Sequence, residues 1–348
     1  MSRLETEELA ARDRAGGTAW SLVQAFVWAA GLGIVMALLW APDIGLHAFW
    51  NFLIPVAPAV FVLIPGIWRN VCPLAFTSLL LENLGVPARR RMSAHANERL
   101  LLIGIVLLFL IVPFRHVMLD LNGPATALVL ILLAAVAVTM GSVFESKSGW
   151  CSGICPVHPV EKLYGSKPWT SAQNLHCERC ERCVPVCPDS TPELSMMTGA
   201  NKSSRRGLGG VLMLGGFSGF IWGWFQVPDY RGLDGWAHLT SAYGYPFLGA
   251  LCTLLLYLIL RRLLEHRHHG FLGLAFAAAA VGCYYWYRLP ALFGFGPYPG
   301  DGMLLDLRHA LPAWCPAASR LATTFFLVWW LLMRNGARRS WSERPEFA

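Results

Sequence analysis

The strongest constraint on the fold of this chain is a series of apolar segments, each about twenty residues long and nearly free of charge. A helix of that length crosses a hydrocarbon layer of roughly 30 Å and satisfies its backbone hydrogen bonds internally. Composition agrees, because 55% of the 348 residues are hydrophobic and 14% are charged, against about 25% charged residues in soluble domains. The sequence therefore predicts an all-α polytopic membrane protein. The predicted spans are residues 19–40, 44–67, 99–118, 125–144, 207–226, 237–260, 271–288 and 316–333.

The eight predicted spans fall into two groups of four, separated by a polar, cysteine-rich segment. The second span contains Pro55, Pro58 and Pro65, and we expect it to be kinked or broken there. The predicted organisation is an N-terminal region (1–18), a four-helix membrane half (19–144), the cysteine-rich segment (145–206), a second four-helix half (207–333) and a tail (334–348).

Lysine and arginine residues are distributed unevenly between the two sides of the predicted bundle. One side holds five of the 28, and these are Arg115, Arg231, Arg288, Arg308 and Arg320. Because cytoplasmic connections are enriched in Lys and Arg, we predict a bacterial inner-membrane protein with both termini and segment 145–206 in the cytoplasm. The net charge of +7 is then explained by the excess of Lys and Arg in the cytoplasmic connections. We expect membrane lipid around the chain and no nucleic-acid partner.

The cysteine-rich segment contains Cys177, Cys180, Cys183 and Cys187, followed by Pro188. This is the spacing C-x2-C-x2-C-x3-C-P, which is typical of bacterial ferredoxins that bind [4Fe-4S] clusters. Two-residue gaps let one tight turn present three thiolates to three irons. Zinc is the alternative, since C-x2-C pairs also occur in zinc sites, but zinc ribbons separate two such pairs by a longer spacer. The sequence therefore predicts an iron-sulfur cluster here.

A second motif, C-x3-C-P, follows the fourth predicted span and consists of Cys151, Cys155 and Pro156. These two thiols could complete the first cluster or begin another. A similar step, Cys72-Pro73, follows the second predicted span 83 residues earlier, with Trp68 in the place of Cys151. We interpret the pair as an internal repeat in which a helix ends at a Cys-Pro step. Chance similarity of two short segments is the alternative.

On these two motifs the sequence resembles membrane polyferredoxins of the NapH/NosR type, over roughly residues 44–225. The resemblance implies helices with C-x3-C-P motifs beside a cytoplasmic ferredoxin-like domain. It also implies electron transfer toward a periplasmic reductase or a maturation system. The family typically carries two ferredoxin runs and two C-x3-C-P motifs, whereas this chain carries one of each and the single Cys72-Pro73 step.

Counting thiols limits the number of clusters. The predicted cytoplasmic side holds seven cysteines, whereas two all-cysteine [4Fe-4S] clusters need eight. One cluster is therefore the main prediction, and a second would need a ligand other than cysteine. His158 and His176 lie close enough in sequence to serve, although a histidine beside a cluster also acts as a hydrogen-bond donor. The seven are Cys72, Cys151, Cys155, Cys177, Cys180, Cys183 and Cys187.

Four histidines lie at or near the opposite, outer face of the predicted bundle, one for each outer connection. Imidazole can ligate haem iron, and it can exchange a proton with a quinone. We therefore regard them as candidate haem or quinone ligands, with ordinary interfacial histidines as the alternative. They are His47, His116, His238 and His309.

Together these patterns indicate an iron-sulfur electron-transfer protein that passes electrons between a quinone pool or cytoplasmic donor and a redox partner complex. Two alternatives remain open at this point. The chain could be an assembly factor that reduces copper or a thiol for a metalloenzyme, since thiolates such as Cys151 and Cys155 favour Cu(I). It could also be a cluster-bearing anchor subunit of a larger membrane complex. No catalytic residue is assigned.

Overall fold

The computed structural model describes residues 3–84, 90, 92–144, 149–169, 204–231 and 233–335. These residues form helices joined by turns, and eight helices are long and apolar enough to cross a membrane. The prediction of an all-helical, multi-pass membrane protein is confirmed. In chain order, the eight spans are Trp20–Trp40, Pro42–Leu63, His95–Leu119, Gly123–Val143, Gly207–Trp224, Gly235–Leu263, His266–Leu292 and Cys315–Met333.

The second span is distorted and then broken, as its prolines predicted. Residues His47–Leu53 form a π-helical stretch, and Ile54–Leu63 continue as an α-helix. The helix stops at Ile64, whose backbone angles are φ −145° and ψ 58°, and a new helix begins at Pro65. Proline disfavours helical angles in the residue before it, so the break at Pro65 has a local cause.

Short helices follow the second and fourth spans at the same end of the bundle. They are Pro65–Val71, Pro73–Ser78, Leu80–Asn83, the π-helical turn Trp150–Ile154 and His158–Tyr164. The backbone N–H of Trp169 donates to the carbonyl of Leu63 at 2.7 Å, which joins the two groups. We call this the thiol end; the even-numbered spans finish there.

The other connections meet at the opposite end, where the odd-numbered spans finish. Asn51 donates to the carbonyl oxygen of Met303 at 3.1 Å, and His116 Nδ1 lies 2.6 Å from Asp229 Oδ1. These contacts join the second and third spans to the connections that follow the seventh and fifth spans, all of which the sequence also placed on one side. We call this the histidine end.

The fifth span is the central helix of the bundle. Of its most apolar 18-residue window 67% is buried, compared with 6% for the first span. It approaches the sixth span closely, because a Cβ atom at Gly219 would overlap the carbonyl oxygen of Gly249. Small residues permit such contacts between membrane helices. The fully buried side chains of Phe220 and Val281 extend this packing to the seventh span.

The outer surface of the bundle is apolar, as contact with lipid requires. Leu22 and Phe26 on the first span and Phe325 on the eighth are each more than two-thirds exposed. Exposed leucines also cover the sixth span, for example Leu248 and Leu255. Water would solvate such a surface poorly, whereas hydrocarbon tails accommodate it.

Candidate functional site

The structure describes some of the predicted metal ligands and not others. The four cysteines of the ferredoxin-type run, together with His176, lie in residues 170–203, outside the described residues. The predicted cluster at these positions stays a prediction. Cys151, Cys155 and Cys72 are described, and all three lie at the thiol end. The cysteines of the run are Cys177, Cys180, Cys183 and Cys187.

Cys72 and Cys155 occupy the same local structure. Cys72 has φ −56° and ψ 123°, and Cys155 has φ −58° and ψ 120°. Each residue ends one helix and is followed by a proline, and another short helix begins within three residues. The structure therefore supports the internal repeat that the sequence indicated between the two Cys-Pro steps.

The two repeats pack against each other reciprocally. The helix Pro73–Ser78, which follows Cys72, contacts the fourth span. The helix His158–Tyr164, which follows Cys155, contacts the last part of the second span. The first contact is very close, because a Cβ atom at Gly141 would overlap the carbonyl oxygen of Ser78. Because the short helix after each Cys-Pro step packs on the span of the other repeat, Cys72 and Cys155 lie in the same apolar cluster.

The three described thiols of the thiol end belong to one largely buried, apolar cluster of packed side chains, which we call the thiol pocket. Cys151 is buried beside Trp150, and Cys72 and Cys155 pack against the same cluster. Among the described residues, no group of three or more potential ligands converges closely enough to hold a single metal ion. The pocket consists of Cys72, Leu74, Ala75, Leu133, Val136, Ala137, Met140, Trp150, Cys151, Ile154 and Cys155.

The environment of Cys155 opposes a bare thiolate. Burial raises the pKa of the Cys155 thiol far above its usual range, and the neighbouring Cys151 and Cys72 raise it further. The backbone N–H groups of Val157 and His158 donate toward the Cys155 sulfur and lower the pKa in part. N–H donors to sulfur are one of the ways in which proteins tune an iron-sulfur cluster.

Gly104 on the third span supports the Cys155 turn. A Cβ atom at this position would lie 2.8 Å from the carbonyl oxygen of Ile154 and 3.2 Å from that of Cys155. A side chain of any size would therefore separate the third span from the turn. Glycine is needed here for close approach of two backbones.

A buried ion pair joins the two repeats beside the thiol pocket. Arg69, three residues before Cys72, donates from Nε to Glu161 Oε2 at 3.1 Å and from a terminal nitrogen to His158 Nδ1 at 2.5 Å. All three side chains are at most 4% exposed. This contact was not among the sequence predictions, and it engages Nδ1 of His158, which the sequence offered as a candidate cluster ligand. Its one indication in the sequence is Arg69 itself, a charged residue in the otherwise uncharged helix before Cys72.

Charge and burial together set the protonation of this network. Burial and the adjacent Arg69 guanidinium lower the pKa of His158 to about 3, so its imidazole is neutral near pH 7. Burial opposes ionisation of Glu161, but the adjacent Arg69 guanidinium, with His158 nearby, outweighs it and lowers the pKa of Glu161 to about 2. The network thus contains one guanidinium and one carboxylate, fixed across the repeat boundary.

The last span clamps the residues that precede the cysteine run. Trp330 Nε1 donates to the carbonyl of Lys167 at 3.1 Å, and Arg334 donates to the carbonyls of Lys167 and Pro168, the latter at 2.8 Å. Lys167 Nζ donates back to the carbonyl of Arg334 at 2.8 Å. The guanidinium of Arg334 lies 3.9 Å from the Trp330 ring centre. These bonds hold Lys167 and Pro168 against the end of the last span.

At the histidine end, His116 is buried and fully engaged. Its ring stacks on Trp224 with centroids 4.5 Å apart, Nδ1 lies 2.6 Å from Asp229 Oδ1, and Nε2 lies 3.0 Å from the Trp224 carbonyl. Both ring nitrogens therefore lie within hydrogen-bond distance of an oxygen. A haem iron would have to displace one of these contacts.

Further buried charges surround His116. Arg115 donates twice to Asp120, at 2.9 and 3.1 Å, and its guanidinium lies 4.0 Å from the Trp50 ring centre. Arg288, from the seventh span, donates to the carbonyl of Trp50 at 2.6 Å and to Asn51. Ionisable residues inside a membrane bundle are costly and commonly mark function.

A cavity of about 490 Å³ opens beside this network. His238 lines it with its ring stacked on Tyr230 at 4.2 Å, and Asp229 links it to His116. Asp301 accepts from the backbone N–H of Asp229 at 2.8 Å, and burial together with the Asp229 carboxylate raises the pKa of Asp301. The cavity is lined by Pro228, Asp229, Tyr230, Arg231, Gly235, His238, Tyr298, Pro299 and Asp301.

The four outer histidines therefore do not form one site. His116 and His238 approach the same cavity, one through Asp229 and one directly. His47 is exposed and lies 2.9 Å from the amide nitrogen of Asn51. His309 is exposed next to the ion pair of Asp306 and Arg308.

Comparisons with protein-family models, with curated proteins and with solved structures find no match for this chain. No site residue is therefore carried over from a relative. The thiol pocket and the cavity at the histidine end are defined only by the contacts within this structure.

Proposed function

We propose that this chain is a membrane iron-sulfur electron-transfer protein. A [4Fe-4S] cluster bound by the ferredoxin-type run of cysteines passes single electrons between a quinone pool or cytoplasmic donor and a redox partner. The observation that carries the proposal is the thiol pocket. Three further thiols meet there at the thiol end, and segment 170–203, which contains the run, begins after Trp169 at that end.

The residues at the thiol end have distinct roles in this proposal. When bound, the cluster supplies one-electron chemistry without bond cleavage. Trp150 and the apolar residues of the thiol pocket exclude water. The clamp of Trp330 and Arg334 on Lys167 holds the chain in place a few residues before the cysteine run begins in the sequence. The ion pair of Arg69 and Glu161 holds the two repeats together.

In this proposal electrons enter and leave at the thiol end. The histidine end lies a full membrane span away, roughly 30 Å, which is too far for direct electron transfer without another carrier. A quinone head group or a cytoplasmic donor therefore reaches the protein on the side of the thiol pocket. In this proposal the cavity beside His238 exchanges protons or binds a small polar ligand, and it takes no part in electron transfer.

The charge distribution supports an orientation with the thiol end in the cytoplasm of a bacterium. Most Lys and Arg residues belong to that end, and 23 of the 28 do so by the predicted topology. With this orientation the chain resembles NapH/NosR-type polyferredoxins in motif, in cluster position and in membrane setting. The resemblance also implies a redox complex with a periplasmic member, and electrons would reach that member only through a further carrier held by the partner complex.

The test is spectroscopy and iron analysis of the full chain purified without oxygen. We expect a brown protein with equimolar iron and sulfide and a paramagnetic signal of the [4Fe-4S] type on reduction. Cys180→Ser removes that signal, whereas Cys252→Ser, on the lipid-exposed face of the sixth span, leaves it unchanged. A colourless protein that contains stoichiometric zinc would overturn the proposal.

A further inference from the structure

The connection between the seventh and eighth spans is longer than the gap that it bridges. The seventh span ends at Leu292, the eighth begins at Cys315, and the two helices pack against each other. Packed helices lie roughly 10 Å apart, a distance that a few residues cover. Residues 293–314 therefore contain chain that the link itself does not need, and this chain forms two parts with different surroundings.

The first part, residues 294–303, packs on the end of the bundle. The carbonyl of Met303 accepts a hydrogen bond from Asn51 of the second span at 3.1 Å. Gly302 lies directly on the guanidinium of Arg288, because a Cβ atom there would overlap a terminal nitrogen of that group. Contacts with the second and seventh spans thus hold the first part in place.

The second part, residues 304–314, has an exposed apolar surface, and we call it the surface segment. Its two charged side chains pair with each other, since Arg308 donates to Asp306 at 3.0 and 2.6 Å. The large apolar side chains that are exposed here are Leu304, Leu305, Leu311 and Trp314. Exposed apolar patches mark contact with lipid or with another protein. The position of the segment decides between these two.

Backbone hydrogen bonds fix the surface segment at the level where the spans end. The N–H groups of Leu304 and Leu305 both donate to the carbonyl of Leu292 at 2.9 Å. At the other end, the N–H of Cys315 donates to the carbonyl of Pro312 at 3.0 Å, and the eighth span begins. Both ends of the segment therefore lie where the hydrocarbon layer gives way to lipid head groups.

Exposed tryptophans mark the same level around the bundle. Trp40 is the last residue of the first span, Trp236 lies in the first turn of the sixth, and Trp314 directly precedes the eighth. All three are more than half exposed, and tryptophan is enriched at the boundary between membrane and water. The eighth span, which follows Trp314, exposes Leu321 and Phe325. The apolar surface of the segment is thus continuous with a lipid-facing helix.

We propose that the surface segment is a membrane-interface anchor, which lies among the lipid head groups at the histidine end and inserts its leucines and Trp314 between them. Lipid is the partner because the segment joins a lipid-facing span at the height of the interface. The paired Asp306 and Arg308 add no net charge to the head-group layer. Amphipathic segments lie in the interface plane in this way. The inference goes beyond the proposed iron-sulfur function and does not depend on it.

The test uses a polarity-sensitive fluorophore, NBD, on the full chain reconstituted alone into phosphatidylcholine vesicles. Leu305→Cys carries the label in a Cys252→Ser/Cys315→Ser background, which removes a lipid-exposed thiol and a thiol beside the segment, and the emission of the labelled background is subtracted. We expect blue-shifted emission and strong quenching by lipids with a nitroxide near the head group. Phe325→Cys on the lipid face is the positive control, and Glu265→Cys in an exposed polar turn is the negative control.

The label on Leu305→Cys should be quenched several-fold more strongly than the label on Glu265→Cys. Emission typical of water together with quenching no stronger than that of Glu265→Cys would overturn the anchor, and the apolar surface would then be open to a protein partner. If Leu305→Cys does not accumulate, Leu311→Cys carries the same expectation. Because the label reports only on the surface segment, absence of iron from the chain would overturn the proposed function and leave this result unchanged.

Discussion

Arg69 illustrates how a single charged residue can hold the thiol end together. Its guanidinium is 3% exposed and contacts Glu161 and His158, both of which belong to the other repeat. An isolated charge in such a place would be very costly, so arginine and glutamate depend on each other. The pair therefore fixes the relative positions of Cys72 and Cys155, which follow and precede these residues by three to six positions.

The first residue-scale prediction concerns this pair. Arg69→Met leaves the Glu161 carboxylate buried without its partner, so we expect a loss of about 3–5 kcal/mol in the free energy of unfolding. The double variant Arg69→Met/Glu161→Met removes both charges and should recover most of that loss. Denaturant unfolding in detergent measures both effects. If Arg69→Met has the same free energy of unfolding as the native chain, the ion pair of Arg69 and Glu161 does not stabilise the fold.

At the scale of helices and turns, the thiol pocket is made by backbone geometry that repeats. The two Cys-Pro steps share their angles, and each following helix packs on the helix of the other repeat. Small residues make this packing close, at Gly141 against Ser78 and at Gly104 against Ile154. The packing of each Cys-Pro step thus depends on a glycine of a neighbouring span as well as on the local angles of the step.

Gly104 provides the prediction at this scale. Gly104→Val forces the third span away from the Ile154–Cys155 turn, and we expect a loss of about 1–3 kcal/mol from overpacking. Cys151 and Cys155 should also react faster with a maleimide, as measured by mass spectrometry. Gly33→Val is the matched control, since a Cβ atom there has no neighbour within 4 Å. Equal behaviour of the two variants would contradict a specific role for Gly104.

The sequence predicted the helical elements well and the contacts between them poorly. Eight spans, the break before Pro65 and the Cys-Pro repeat follow from apolar length, proline chemistry and spacing, all of which are local. The meeting of Cys72 with Cys151 depends on how two spans cross, and the pairing of Arg69 with Glu161 joins residues 92 positions apart. Hydropathy carries no information on such pairs, so it does not predict the contact of His158 with Arg69.

On the scale of the whole molecule, the chain has two polar ends of different chemistry joined by an apolar bundle. The thiol end combines cysteines, basic residues and the clamp from the last span. The histidine end combines three aspartates and two buried arginines around His116. Because roughly 30 Å separates them, the two ends face different compartments, and the function depends on which compartment each one faces.

Topology is therefore the last prediction. Positive charge concentrated at the thiol end predicts that this end is cytoplasmic and that the histidine end faces outward. His309→Cys and Glu265→Cys place exposed thiols at the two ends, each in a Cys315→Ser background that removes a native thiol near the first. A membrane-impermeant maleimide should label His309→Cys in intact spheroplasts and Glu265→Cys only after lysis. The reverse labelling pattern would place the thiol end on the outer side of the membrane. A cytoplasmic electron donor could then not reach it.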